Sequence, residues 1–352
     1  MFIPIIVAFL LSLVFTRIAI IFARRHNLFD DTNPRKMHTG NIPRFGGIGL
    51  FASFTVVFSI YTLVFHHGNF VNIAPLMIGG LIIFVEGMLD DVFGLRAKVK
   101  FLLQIFASLA VAMGSVYYSS FFFITFPAWF GRLLTFFLIL VEVNAFNLID
   151  GLDCLCGGIS FLCAMAIGIM MIFMHDPNME ICFILAACIF GFLFWNKPNA
   201  KIFLGDAGSQ TLGFAVSVLP LLCSKNNATF EYNKLLLVIL LTSIPTTDVI
   251  AAIWRRLREH RSVFSADRGH IHHKLVNIGF SKLKAISFLL GIQFLVCVSI
   301  IPSAVMGRRQ TSLLFVVMYC FIVIIFSTLH YINRAVNLKL KGYLSEEPQP
   351  ED

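Results

Sequence analysis

The chain has 352 residues, 58% of them hydrophobic and 13% charged, with a mean hydropathy of +0.85. A water-soluble domain carries about 25% charged residues, so an ordinary wetted surface is excluded and a polytopic membrane protein is indicated. The formal net charge of +8 would suggest a nucleic-acid partner only if the basic residues were not already explained by membrane topology.

A helix that crosses a bilayer needs about 20 mostly apolar residues. In chain order, eleven such runs occur, near 2–23, 46–65, 74–89, 101–118, 132–149, 157–175, 181–195, 207–224, 234–253, 285–304 and 312–333. Runs of this length exclude barrel strands, so the backbone must satisfy itself as helices. The first run opens "MFIPIIVAFLL", with no basic start and no evident small-residue cleavage site, and reads as a retained span. The expected fold is all-α, with about eleven transmembrane helices in one domain over 1–333 and a tail over 334–352.

Placing Lys and Arg orients the spans. Of the 27 basic residues, 21 fall in one set of alternate connections, chiefly 24–45, 90–100 and 254–284, and five fall in the other. The positive-inside rule puts the first set in the cytoplasm. The N-terminus then faces outward and the tail inward, and the basic balance needs no nucleic acid. Asp90, Asp91, Asp150, Asp153, Asp206 and Asp267 belong to the same inner set, which places any chemistry at the inner face. The eight Cys lie mostly in apolar runs, and Cys154 and Cys156 have no second pair at zinc-like spacing.

Four polar stretches interrupt this pattern. "LDDVFGLRAKVK" (89–100) begins with adjacent carboxylates, whose repulsion a divalent cation or a proton relieves; a solvated helix end is the plainer reading. "NAFNLIDGLD" sets Asn144, Asn147, Asp150 and Asp153 three residues apart, along one side of a helix. Amide and carboxylate oxygens are hard ligands suited to Mg²⁺, although interhelical hydrogen bonds and capping would use the same groups. "KIFLGDAGSQTLG" (201–213) puts Asp206 between glycines before an apolar run, as an N-cap or as a phosphate or metal site. "SVFSADRGHIHHKL" (262–275) gathers Arg268, His270, His272 and His273, donors that bind diphosphate well. A weaker stretch, "RKMHTGNIPRFGG" (35–47), carries Lys36, His38 and Arg44. Glu86 and Glu142 sit inside spans, where ionisable groups are rare.

Acids, hard oxygens and cationic donors on one side of a membrane suit phosphoryl transfer between two anionic phosphates, because an anionic nucleophile is otherwise repelled. "LDD", "NAFNLIDGLD", "FLGDAGS" and "DRGHIHH", in that order, resemble the motifs of the polyprenyl-phosphate N-acetylhexosamine-1-phosphate transferases, over about residues 20–280. The resemblance is nearest to the bacterial members that use UDP-N-acetylglucosamine and undecaprenyl phosphate. It implies an enzyme of the inner (cytoplasmic) membrane with a periplasmic N-terminus. Its product would be a lipid-diphosphate-sugar, with UMP released, at the first membrane step of a surface polysaccharide such as O-antigen or lipopolysaccharide. Mg²⁺, or Mn²⁺ in its stead, would be the cofactor. A homodimer is suggested by relatives.

Carried over residue by residue, the resemblance makes Asp90 and Asp91 the acids that activate the lipid phosphate. It makes Asn147 and Asp206 the metal ligands, and Asp150 and Asp153 acids of nucleotide binding and turnover. Phe203 would stack on uracil; Lys100, Arg268, His270 and His272 would contact the diphosphate, with His273 completing that loop and Asn144 joining the substrate-binding set. Two positions depart from the family pattern: Gly94 stands where many relatives carry a third acid, and Cys154 where Gly is usual. Two rival classes are weighed. A secondary transporter would place its acids near the midplane in repeated broken helices, and no repeat is visible here. A membrane prenyltransferase would leave the "HIHH" loop unexplained.

Overall fold

The computed structural model describes residues 2–29, 42–65, 70–122, 124–223, 228–262 and 269–346. The helices are α1 (Phe2–Arg25), α2 (Gly46–Phe65), α3 (Phe70–Phe93), α4 (Ala97–Ala112), α5 (Ala128–Ile149), α6 (Leu155–Phe173) and α7 (Met179–Asn196). They continue with α8 (Gly205–Val218), α9 (Ala228–Leu241), α10 (Ser243–Arg258), α11 (Ile271–Asn277), α12 (Lys282–Ile300) and α13 (Arg308–Glu346). A two-stranded hairpin, β1 (Ser120–Phe121) and β2 (Ile124–Thr125), pairs Ser120 with Thr125.

Eight of the described helices are long and apolar enough to cross a membrane, or nine spans if α9 and α10, bent by 66°, count as one. Length and composition therefore do not support the expected eleven. The runs 101–118 and 207–224 do hold helices, but α4 has 16 residues and α8 has 14, short of the roughly 20 that a span needs. Residues 334–346 continue α13 without a break, so no helix end separates the tail from the last span.

The shortness of α8 follows from its place at the centre. It packs against α2, α3, α5 and α6, and nearly its whole surface is buried. A helix with no lipid-facing side can carry Ser209, Gln210, Thr211 and Ser217, which lipid would penalise. Small residues allow the close approach. A Cβ on Gly47 of α2 would fall 2.2 Å from the Gly208 nitrogen of α8, so those two backbones touch directly.

The bend between α9 and α10 lies at Thr242 and is held from α5. Glu142 accepts hydrogen bonds from Thr242 Oγ1 at 2.9 Å and Thr246 Oγ1 at 2.9 Å. Glu142 is fully buried, so this intramembrane acid, which belongs to none of the motifs, serves the bundle as a splint. The far end of the bundle is closed by the hairpin and the first turns of α9 and α13. There Ser120 Oγ donates to the Glu231 carbonyl at 3.0 Å, and Arg308 donates to the Phe122 carbonyl at 3.0 Å.

Candidate active site

At the other end, the C-terminal ends of α3, α5 and α7 meet the N-terminal ends of α8 and α12. The segment before α2 pairs with the segment before α8: Phe203 N donates to the Pro43 carbonyl, and Gly46 N and Gly47 N donate to the Phe203 and Leu204 carbonyls, at 2.8–2.9 Å. Two motifs 160 residues apart are thereby laid edge to edge, and Arg44 Nη2 comes within 3.5 Å of Asp206 Oδ1. Gly205 turns into α8 with φ +73, and any Cβ there would lie 2.2 Å from the Arg44 carbonyl. Only glycine fits such a position.

Asp206 gathers its donors at one oxygen. Oδ2 accepts from Lys100 Nζ, from Asn147 Nδ2 at 3.0 Å and from Gln210 Nε2 at 3.2 Å. Lys100 Nζ also lies 2.9 Å from Asp90 Oδ2, so one ammonium joins α3, α4 and α8.

The adjacent acids of "LDD" take different places. Both oxygens of Asp91 accept main-chain hydrogen bonds, from Asp206 N at 2.9 Å and Ala207 N at 3.0 Å. Asp91 therefore caps α8 from the end of α3, an N-cap supplied by another helix. Its side chain is 1% exposed, against 16% for that of Asp90, which leaves Asp90 as the acid a substrate can reach. Gly94 has φ +65, and its N donates to the Asp90 carbonyl at 2.8 Å. It is the left-handed C-terminal stop of α3, which gives a backbone reason for the missing third acid.

A cleft of about 740 Å³ opens over this cluster and is lined by Arg44, Asn147, Asp150, Asp153, Phe203, Asp206, His272 and His273 among others. That size suits a single small-molecule site. Burial pushes the Asp150 carboxyl up to about 8, with Asp206 adding to the effect against the pull of Arg44. Asp153 Oδ2 accepts from Ala200 N at 3.2 Å. His272 is almost wholly buried, rests against Gly151, and its Nδ1 has no hydrogen-bond partner. Burial, then His273, hold its imidazole down at about 3, against the pull of Asp248.

Asp90, Asp91 and Lys100 are not among the lining residues and join the cleft through their links to Asp206, and two further expected site residues stand elsewhere. Asn144 is not among the lining residues; its Nδ2 donates to Gln104 Oε1 and to the Leu140 carbonyl, both at 2.8 Å. His270 turns to Asp248, with Nδ1 2.8 Å from Oδ2, and does not line the cleft. Arg268, like Lys36, His38 and Asp267, lies outside the described residues.

Other residues were not singled out from the sequence. Gln104 Nε2 donates to Gln210 Oε1 at 2.9 Å, which completes a buried chain Asn144–Gln104–Gln210–Asp206. The signal was present, because each Gln follows a motif residue by four positions, Lys100 and Asp206, on the same helix face. Asn196 ties the "DGLDC" and "KIFLG" segments together: its Oδ1 accepts from Cys154 N, and its Nδ2 donates to the Ile202 carbonyl, both at 2.8 Å.

No group of three or more His, Cys, Asp and Glu among the described residues could hold a metal. Zinc-type coordination is therefore not offered by these residues. Mg²⁺ asks for less, usually one or two carboxylates with the rest supplied by water and phosphate. Asp206 and Asn147, side by side with a side-chain hydrogen bond of 3.0 Å at the cleft, fit that donor set.

The family model for glycosyl transferase family 4 matches residues 73–224. The undecaprenyl-phosphate alpha-N-acetylglucosaminyl 1-phosphate transferase of Escherichia coli K12 is 34% identical over 289 residues, covering 77% of this chain and 76% of its own length. The chain belongs to this transferase family. The Yersinia pestis protein of the same name is 34% identical, covering 79% of this chain and 77% of its own. A probable undecaprenyl-phosphate N-acetylglucosaminyl 1-phosphate transferase of Bacillus subtilis is 31% identical over 97% of this chain and 95% of its own. The family match takes in "LDD", "NAFNLIDGLD" and "FLGDAGS", the segments that build the cluster around Asp206.

Proposed function

We propose that this membrane enzyme transfers N-acetylglucosamine 1-phosphate from UDP-N-acetylglucosamine to undecaprenyl phosphate. The products are undecaprenyl-diphospho-N-acetylglucosamine and UMP. One observation carries the reading: Asp90, Lys100, Asn147 and Asp206, from four separate helices, are joined by hydrogen bonds through Lys100 and Asp206, and Asn147 and Asp206 line the cleft. A site for two phosphates needs that mixture of cation, hard oxygen and proton acceptor.

In the mechanism, Arg44 and Lys100 draw the diphosphate toward the cleft floor and offset its charge. Asp91 fixes the start of α8 and so fixes where Asp206 points. Asp90, the reachable acid, takes the proton from the lipid phosphate. The freed phosphate oxygen then forms a bond to the β-phosphorus in line, while the bond from that phosphorus to the UMP oxygen breaks. Mg²⁺, held by Asp206 and Asn147, would supply charge neutralisation at the diphosphate when bound. Phe203 and Asp153, on the cleft wall, are placed to meet the nucleotide. His272, buried and neutral, offers an unpartnered ring nitrogen. A route in which an Asp attacks first and forms a phospho-enzyme uses the same residues.

The charge asymmetry supports a cleft that faces the cytoplasm of a bacterial inner membrane, where the nucleotide sugar is made, and a periplasmic N-terminus. The test is a panel of UDP-sugars with undecaprenyl phosphate, reading UMP. The highest kcat/KM is expected for UDP-N-acetylglucosamine. A clear preference for another UDP-N-acetylhexosamine would move the assignment within the family, and no UMP from any of them would end it.

A further inference from the structure

Arg17 is the only charged residue of α1 before Arg24, and a charge inside so apolar a helix is rare and costly unless something offsets it. α1 and α7 run side by side in the same direction. Ser12 Oγ donates to the Cys188 carbonyl at 2.6 Å, and Trp195 Nε1 donates to the Leu13 carbonyl at 3.1 Å. Arg17, one turn beyond Leu13, therefore stands at the level where α7 ends, at Asn196. Its guanidinium lies over the Trp195 ring, 5.3 Å from the centroid. The chain then turns back on itself, with Lys201 N donating to the Trp195 carbonyl at 2.9 Å. This turn brings Lys201 Nζ to 5.3 Å from the same centroid. The Phe194 ring, 5.4 Å from that of Trp195, carries Lys197 Nζ at 5.0 Å.

Three cations are thus gathered around two neighbouring rings. All three are exposed, and among the described residues none of them is ion-paired with a carboxylate. The ring faces offset part of the charge, but like charges held this close still repel and favour an anion between them. The surroundings indicate its form. Val14 and Ile18 flank Arg17 on α1, Phe190 lies one turn before Phe194 on α7, and all four are exposed. A soluble anion would leave that apolar surface wet, whereas a phospholipid covers it with its acyl chains. Trp beside Arg and Lys is also the composition found at the level of lipid headgroups. Asn196, Pro198, Asn199 and Ala200 of the same turn line the reaction cleft, while Trp195, Lys197, Lys201 and Arg17 do not. The cations stand outside the cleft wall, which favours a resident bilayer lipid over the acceptor lipid.

We propose that Arg17, Lys197 and Lys201, arranged around Trp195 and Phe194, bind the phosphate headgroup of an anionic phospholipid. The bound phosphate ties α1 to the turn 195–201 and so steadies one wall of the cleft from outside. The site does not depend on which sugar is transferred.

The test uses the full chain, purified in detergent, with phosphatidylglycerol or phosphatidylcholine added and retained lipid counted by native mass spectrometry. The wild-type chain is expected to hold one phosphatidylglycerol about tenfold more strongly than phosphatidylcholine. Arg17→Gln/Lys197→Gln/Lys201→Gln should abolish that preference, while UMP formation in detergent stays within about twofold of wild type. Lys197→Gln and Lys201→Gln singly, each at an exposed side chain, should each weaken the preference and decide the matter if the triple variant does not fold. Arg96→Gln/Lys98→Gln/Lys284→Gln, three exposed cations elsewhere on the chain, is the control for loss of charge alone and should keep the preference. Equal retention of both lipids by the wild-type chain would overturn the proposal. So would an undiminished preference in the triple or in both single variants, or loss of the preference in the control. Displacement by millimolar inorganic phosphate would mark a site for free phosphate instead, and displacement by equimolar undecaprenyl phosphate a site for the acceptor lipid; either would also overturn it.

Discussion

Lys100 meets Asp90 at 2.9 Å and also Asp206, so the acid assigned to the lipid phosphate and the acid assigned to the metal share one cation. Replacing Asp90 with Asn keeps the shape and removes the proton acceptor. We expect kcat to fall by roughly a hundred- to ten-thousand-fold, with the KM for the UDP-sugar little changed, as measured by UMP release. Asp91→Asn should behave differently. It removes one acceptor from the cap of α8, so thermal unfolding should register a loss of about 0.5–2 kcal/mol alongside lower turnover. Unchanged stability with lost turnover would return Asp91 to the chemistry. His272 gives a pH signature. Its folded-state value, about 3, lies below its ordinary 6.5, so its share of stability is complete above about 6.5 and drains away as pH falls toward 3. His272→Gln cannot titrate, and its Tm should fall less than the wild-type Tm between pH 7 and pH 5.

At the scale of the elements, α8 is the part on which the others are set. Gln104 and Gln210 link α4 to α8 beneath Asp206. Gln210→Leu should lower kcat by about tenfold, equivalent to roughly 1.4 kcal/mol, and Gln104→Leu added to it should cost little more, because the two act as one chain. Independent losses in the double variant would separate them. Cys154 tests a departure read in the sequence: it has φ +66, a conformation that costs a side-chain-bearing residue roughly 1–2 kcal/mol. Cys154→Gly should therefore leave Tm equal or higher. The sequence carried the positions of nearly all the helices, because a run of twenty apolar residues admits no other structure in lipid, and it carried the motif acids. It did not show that α8 is short and central, although Ser209, Gln210, Thr211 and Ser217 along that run were a sign of burial in protein. Nor did it show that Asp91 caps a helix 115 residues away, or that His270 faces Asp248; such partners are chosen by packing, which leaves no local trace.

For the molecule as a whole, the asymmetry of Lys and Arg and the gathering of acids at one end describe the same fact. The reaction cleft lies at the end of the bundle with the greater positive charge, and the opposite end is closed by a hairpin and helix starts. In span counting the sequence and the folded chain differ: eight described helices, or nine spans with the pair bent at Thr242, are long and apolar enough to cross a membrane, and α4 and α8 are shorter than that measure. The central claim is that phosphate from a nucleotide sugar is joined to a lipid phosphate in this cleft. Its most direct measurement supplies UDP-N-acetylglucosamine labelled in the β-phosphate to the purified protein, with and without undecaprenyl phosphate. The account predicts label in the lipid fraction in one-to-one ratio with UMP, only when the lipid is present, and none of either with Asp206→Asn. Label released as free sugar phosphate, UMP formed at the same rate without lipid, or full transfer by Asp206→Asn would contradict it.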